Sequence, residues 1–318
     1  MDYIRGVLGI LVLVIFASIF STNRKNIDWR LVGIGILLQA IFGILITKVA
    51  FVASIFTKVS AGFVKFLSFS EQGAQFIFGD LATSSFGFIF AFQVLPTIIF
   101  FSTVSAGLYY LGVLQKVVFV IAWVMARTMR LSGPESLSAA GNIFLGQTEA
   151  PLLVKPFIPT MSRSELMCLM TGGMATIAGG VLAGYVAFLG GDDPVEKTRF
   201  ATYLLGASIM NAPAAIVISK IIIPEEKERK LDEHLDISGQ VPDVNLIDAM
   251  SRGASEGLRL ALNVGAMLLA FIAVIAALNY LLSGIIGEFL GLNNFVVKST
   301  NGTFSGFSLE YLLGQVFR

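Results

Sequence analysis

The stretch Gly146-Gln147-Thr148-Glu149-Ala150-Pro151 sets an amide, a hydroxyl and a carboxylate side by side in an otherwise apolar neighbourhood. Ser136 to Thr148 carries no charge, and Ala150 to Val154 is apolar again. A carboxylate at membrane depth costs ~2.5–3.5 kcal/mol on insertion scales, so Glu149 is read first as a functional residue. Pro151 withholds a backbone donor, and Gly146 loosens the chain just ahead of the polar triplet. Interrupted backbone survives inside a membrane only where protein or a water-filled cavity satisfies it, which is how transporters build their binding sites. The stretch predicts a broken element inside an all-α, membrane-spanning protein that carries a solute across.

Composition points the same way. The chain is 55% hydrophobic and 14% charged, with a mean hydropathy of +0.81. Soluble domains usually carry about 25% charged residues. A formal net charge of +1 excludes the basic bias of a nucleic-acid binder. Cys168 is the single cysteine and cannot form an intrachain disulfide; in its apolar run it reads as a small buried hydrophobe. His234 is the single histidine and lies in a charged segment, which leaves a zinc site or a histidine triad without support.

Outward from the motif, the chain divides into apolar spans and short polar breaks. Gly6 to Asn23 is uncharged and just long enough to cross, given that ~17–25 apolar residues are needed. Leu31 to Thr47 is a second span. Arg24, Lys25 and Arg30 lie between the two against Asp28 alone, so the loop is expected to be cytoplasmic and the N-terminus outside. Over residues 51–69, Lys58 and Lys65 recur among phenylalanines at helical spacing, the pattern of an amphipathic helix along the membrane interface. Leu81 to Gln115 runs uncharged for 35 residues, with bends expected at Pro96 and near Gly107–Gly112. Val117 to Ala126 is a short apolar piece ending at Arg127 and Arg130.

Leu166 to Gly191 reads as a charge-free span whose glycines allow close helix packing in lipid. Phe200 to Ser219 is the next, with an interruption expected at Asn211-Ala212-Pro213. Pro224 to Asp243 is a charged, solvated linker, and Leu260 to Gly287 is a long final span. Arg252 and Glu256 stand at i, i+4 ahead of it and read as a surface or helix–helix pair. The expected organisation is scaffold helices over 1–130, a first transport repeat over 131–223, a linker over 224–243, and a long helix with the start of a second repeat over 244–318.

The run Pro134 to Pro151, PESLSAAGNIFLGQTEAP, resembles the first re-entrant hairpin of the concentrative nucleoside transporters. Supporting matches follow in the family's order. They are Phe88-Ile89-Phe90-Ala91-Phe92 with Leu95-Pro96-Thr97, then Ala178 to Tyr185, then Met210-Asn211-Ala212-Pro213, then Ala261 to Met267. The resemblance implies a polytopic helical symporter of inverted-repeat architecture, not an enzyme. It would sit in the bacterial inner membrane, in contact with lipid and as a homotrimer, and import a uridine-like nucleoside with a sodium ion and no organic cofactor.

By the same resemblance, Gly146, Gln147, Thr148 and Glu149 form the hairpin tip that meets the nucleobase. An amide both donates and accepts, and a carboxylate accepts from N–H groups, so the triplet suits a pyrimidine edge. Val181 is implied as an apolar wall. Asn142 and Thr176 are implied as side-chain ligands of sodium, with Leu145 and Ile177 supplying backbone carbonyls. The plain alternative for the Thr176 hydroxyl is a bond to its own helix one turn back. Asn211 with Pro213 reads as a helix break or packing point rather than a ligand.

Nothing after Gly287 repeats the Gly-Gln-Thr-Glu-Ala-Pro pattern, so the second repeat and its ribose-binding residues are expected to lie beyond Arg318. Three alternatives to sodium-coupled import stay open from the residues. A buried Glu149 can titrate, which allows proton coupling. A membrane enzyme using Glu149 as acid or base would need a second catalytic group. A passive channel would need no clustered polar triplet.

Overall fold

Long runs of aliphatic residues form the helices, and polar or glycine breaks end them. The computed structural model describes residues 2–147, 150–191, 193–226 and 243–316, and no strand occurs among them. α1 (Asp2–Ile19) stops four residues short of Asn23. α2 (Trp29–Lys48) starts where the Asp28 carboxylate accepts from Arg30 N at 2.9 Å and Leu31 N at 3.2 Å. Such a cap satisfies two of the backbone donors a helix start leaves open.

α3 (Ala50–Phe78) contains the residues 51–69 that were expected to lie along the interface. It has 29 residues, and with the turn after it forms a stretch long and apolar enough to cross a membrane. The lysines at 58 and 65 stand among apolar residues there. Phe63 and Phe66 pack on Phe101 and Phe100 of α5 (Leu95–Tyr110). A short α4 (Phe90–Gln93) precedes α5, and Pro96 sits in the first turn of α5 where its missing N–H costs nothing. The chain reverses at Gly112, whose φ of 74° favours glycine, into α6 (Val113–Met129), longer than the piece expected at 117–126.

α7 (Gly133–Gly141) and α8 (Ala150–Leu153) are short arms on either side of a turn. Every residue of α7 is buried, and Leu137, Ala140, Leu153 and Val154 belong to the main apolar core with Ile216 of α11. The hairpin is thus the centre of the packing.

The run 166–191 falls within one apolar stretch, Arg163–Gly190, long enough to cross a membrane. It is built of two helices, α9 (Arg163–Ala175) and α10 (Gly179–Gly190), parted at residues 176–178, around the Ile177 carbonyl that the resemblance implied to be freed. One expectation about interruptions reverses. The expected break at Asn211-Ala212-Pro213 is absent: α11 (Pro194–Ile222) is continuous for 29 residues with Pro213 inside it. Packed neighbours hold a proline-containing membrane helix straight enough to continue. Here Gly35 of α2 lies against Val217 and the Pro213 carbonyl. Most of the charged linker, 227–242, lies outside the described residues, as does His234.

α12 (Leu246–Asn279) opens with Arg252, whose Nε and Nη2 donate to Asp243 at 2.8 and 2.9 Å and whose Nη1 donates to Glu256 at 2.9 Å. The guanidinium hydrogen bonds hold the Asp243 carboxyl below its ordinary value. A π-helical stretch (Tyr280–Gly287), α13 (Leu292–Ser299) and α14 (Leu309–Val316) complete the described chain. The chain resolves into two compact units, Met1–Arg259 and Leu260–Arg318. Within the second, Asn279 donates to Glu310 and accepts from Leu309 N, while Asn293 donates to the Ser283 carbonyl. Six helical stretches among the described residues are long and apolar enough to cross a membrane. The protein is an integral membrane protein.

Candidate functional site

The hairpin is built from its caps inward. Ser132 caps α7 by accepting from Glu135 N, and the Glu135 carboxylate accepts from Ser132 N, each at 3.3 Å. This reciprocal box fixes where the helix starts. Nine residues later the helix ends at Asn142, and the chain turns through 142–147. A Cβ on Gly141 would meet Leu153 Cδ1 at 2.6 Å and Ala150 Cβ at 3.5 Å, so glycine lets the two arms close on each other.

Asn142, the C-cap of α7, is the chemically unusual residue. Its side chain is fully buried, and among the described residues neither its amide oxygen nor its nitrogen has a hydrogen-bond partner. An unsatisfied buried amide costs roughly 1–3 kcal/mol, so folded proteins rarely retain one without a ligand for it. It faces α9: a Cβ on Gly172 would meet Asn142 Nδ2 at 3.1 Å. Thr176, the C-cap of α9, donates its hydroxyl to the Gly172 carbonyl at 2.8 Å, the plain alternative the sequence had left open. That bond uses the hydroxyl hydrogen and leaves oxygen lone pairs available to a cation. Leu145 is buried, and Ile177 lies half-buried in the break between α9 and α10.

Two helices therefore end beside each other, and the carbonyl ends of both carry partial negative charge. A buried amide oxygen, a hydroxyl and helix-end carbonyls form a neutral, oxygen-rich donor set. This set is of the neutral oxygen kind that suits sodium, and the orphaned Asn142 amide is the observation that calls for a ligand there.

The nucleobase group divides. Gly146 is buried and its carbonyl accepts from Ala150 N at 2.9 Å; Gln147 is exposed. A Cβ on Gly173 would lie 2.9 Å from Gln147 Cβ, so the hairpin tip rests on α9 at a residue without a side chain. Thr148 and Glu149 lie outside the described residues. Val181 is half-buried in the first turn of α10, and that helix is tied to the hairpin by Gly179 N donating to the Phe144 carbonyl at 3.0 Å.

Other residues around the site hold the turn and the helix ends. Ser208 donates to the Ile143 carbonyl at 3.1 Å, and Asn211 donates through Nδ2 to the Ala175 carbonyl at 2.9 Å. Both stand on α11 at i, i+3, and they occupy carbonyls at the turn after α7 and the end of α9. Of the two readings of Asn211, helix break or packing point, the continuous α11 leaves the packing point, and its contact is the Ala175 carbonyl. Glu135 and Lys220, 85 positions apart, form a buried ion pair at 2.5 Å. Only the Ser132-x-x-Glu135 capping pattern signalled that Glu135 would be held in place.

A hairpin and an interrupted helix that meet inside a membrane-spanning bundle define the class: a secondary transporter, not an enzyme. Three family models match the chain: the N-terminus of the Na+ dependent nucleoside transporters over residues 8–81, nucleoside recognition over 91–192, and the C-terminus of the same transporters over 203–318. The chain is 41% identical over 318 residues to the uncharacterized transporter YutK of Bacillus subtilis (strain 168), covering all of this chain and 73% of that protein. It is 41% identical over 278 residues to sodium/nucleoside cotransporter 1 of Mus musculus, covering 86% of this chain and 41% of that one. The structure of CNTnw in an inward-facing substrate-bound state superposes with a TM-score of 0.85 at 36% identity, over 100% of this chain and 71% of that one. The chain belongs to the concentrative nucleoside transporter family.

Proposed function

We propose that the protein imports a uridine-like nucleoside down a sodium gradient across a bacterial inner membrane. Gln147, Thr148 and Glu149 at the hairpin tip hydrogen-bond the base, Gly146 gives the tip its turn, and Val181 closes one side. Asn142, Thr176 and the carbonyls of Leu145 and Ile177 hold the sodium ion, which supplies the charge that fixes two helix ends together. The family's homotrimer is carried over to this chain, as is the outward N-terminus that the basic loop Arg24 to Arg30 supports. The observation that carries the reading is the fully buried Asn142 amide with no partner among the described residues, at the meeting point of two helix C-termini.

The test is uptake of labelled uridine, with and without an inward sodium gradient, into vesicles holding the protein purified from its natural reading frame, extended past Arg318 if the gene continues. Uptake that requires sodium is expected. Uptake driven by external acid and indifferent to sodium would move the coupling to Glu149. No uptake under either gradient by a well-inserted protein would overturn the assignment.

A further inference from the structure

Lys220 lies near the C-terminal end of α11, within a run that reads simply as the end of an apolar span. Its side chain is 7% exposed, and that of Glu135 is 0%. The ammonium has three hydrogens to donate. It donates to Ser164 Oγ at 3.1 Å and Glu225 Oε2 at 3.2 Å, and it forms an ion pair with Glu135 Oε1 at 2.5 Å. Glu225 in turn accepts from Ser162 Oγ at 2.9 Å.

Glu135 stands in the first turn of α7, and Ser164 in the first turn of α9. Both helices begin with the same device, a serine–glutamate capping box at Ser132/Glu135 and at Ser162/Glu165. Asn142, the C-cap of α7, is seven positions beyond Glu135, and Gly172 of α9, which lies against Asn142, is eight beyond Ser164. At ~1.5 Å per residue the two separations are ~10 and ~12 Å, so the helices run side by side in nearly matched register. One ammonium joins them at their starts, and the ion site joins them at their ends. A cleft of about 420 Å³ lined by Asp28, Arg130, Glu135, Lys220, Glu225 and Glu226 borders the clasp.

We propose that Lys220 is a positioning residue: by tying Glu135 of α7 to Ser164 of α9 it sets the relative register of the two helices, and through it the sodium affinity at Asn142. The proposal rests on the sodium reading of Asn142 and Thr176. A rigid helix transmits a displacement at one end to the other, so a shift of α7 along α9 misplaces the amide against Gly172. Lys220 touches neither ion nor nucleoside.

The experiment follows thermal unfolding of the purified protein during sodium titration. The test variant is Glu135→Gln with Lys220→Met, which removes the pair without leaving a lone buried charge. The sodium concentration giving half-maximal stabilisation should rise about tenfold. Lys220→Arg, which keeps a cation for both carboxylates, should stay within about threefold of the wild type. A merely structural Lys220 would lower the sodium-free unfolding temperature and leave the half-saturation unchanged; that result would overturn the proposal. If the double variant does not insert, Ser164→Ala severs the α9 arm alone. A rise of about threefold or more supports the clasp, and a smaller one sinks it. A wild-type protein that does not respond to sodium would remove the ion site itself, and the clasp with it.

Discussion

At the scale of single residues, the Asn142 amide makes a prediction whose sign separates ligand binding from ordinary packing. A buried polar group with its partner in place loses stability when truncated, because the partner is left unpaired. Asn142 has no partner among the described residues, so truncation in sodium-free buffer removes a cost as well as some packing. Asn142→Ala should change sodium-free stability by less than about 1 kcal/mol, the two effects opposing each other. The stabilisation that the wild type gains from sodium should vanish. Melting curves with and without sodium check both halves. A variant that is strongly destabilised in the absence of sodium would show that the amide has a protein partner instead. The adjacent Gly172 and Gly173 belong to the same scale: their missing side chains are what let Asn142 and Gln147 approach α9.

At the scale of elements, small residues decide how closely helices approach, and α12 shows it outside the site. Gly253 and Gly257 stand four apart and face α5. A Cβ on Gly253 would lie 2.7 Å from the Ser102 carbonyl, and one on Gly257 would lie 2.9 Å from Ile99 Cα. Backbone atoms cannot swing aside, and in lipid such close approach is what holds helices together. Gly257→Leu should therefore part α12 from α5 and cost about 1–3 kcal/mol or more, as overpacking does. Gly62→Leu, at a position with nothing within 4 Å, should cost little. Unfolding temperatures of the two variants in detergent compare them directly. The same physics explains what the sequence discloses and what it withholds. Hydropathy and capping residues place α2, α5 and the arms of the hairpin, because those signals are local. The break at Thr176 to Ala178 has no local signal in its uncharged, glycine-rich run and was implied only by the resemblance, at Ile177; beside it Gly179 N docks on the Phe144 carbonyl, a contact across the fold. Pro213 errs in the opposite direction: a strong local breaker is overruled by packing against α2. The Lys220–Glu135 clasp, joining residues 85 positions apart, leaves no periodic trace at all.

At the scale of the molecule, the proposed sodium site at Asn142 and the proposed nucleoside site at Gln147 are close enough to influence each other. Four residues separate them, and the turn between them is tied at several points. Ser208 takes the Ile143 carbonyl, Gly179 N takes that of Phe144, and Gln147 rests on Gly173. On the proposed assignment, an ion that draws the ends of α7 and α9 together would also seat the hairpin tip on α9. Sodium would then favour the arrangement that presents the polar triplet, and the nucleoside would find its partners already ordered. Linkage makes this coupling reciprocal: whatever factor sodium adds to nucleoside affinity, nucleoside must add to sodium affinity. The expected factor is about 5–150-fold, the usual range for coupled sites. Calorimetric titration of uridine at zero and saturating sodium, and of sodium with and without uridine, measures it twice. Equal factors within that range support coupling through the hairpin turn. Uridine affinity indifferent to sodium would mean that the tip is seated before the ion arrives, and that gradient-driven uptake takes its energy from a later conformational step. Removing the Ser208 tether locates the coupling further: Ser208→Ala leaves the ligand groups of both sites in place but frees the Ile143 carbonyl, so the shared factor should fall while each ligand still binds alone.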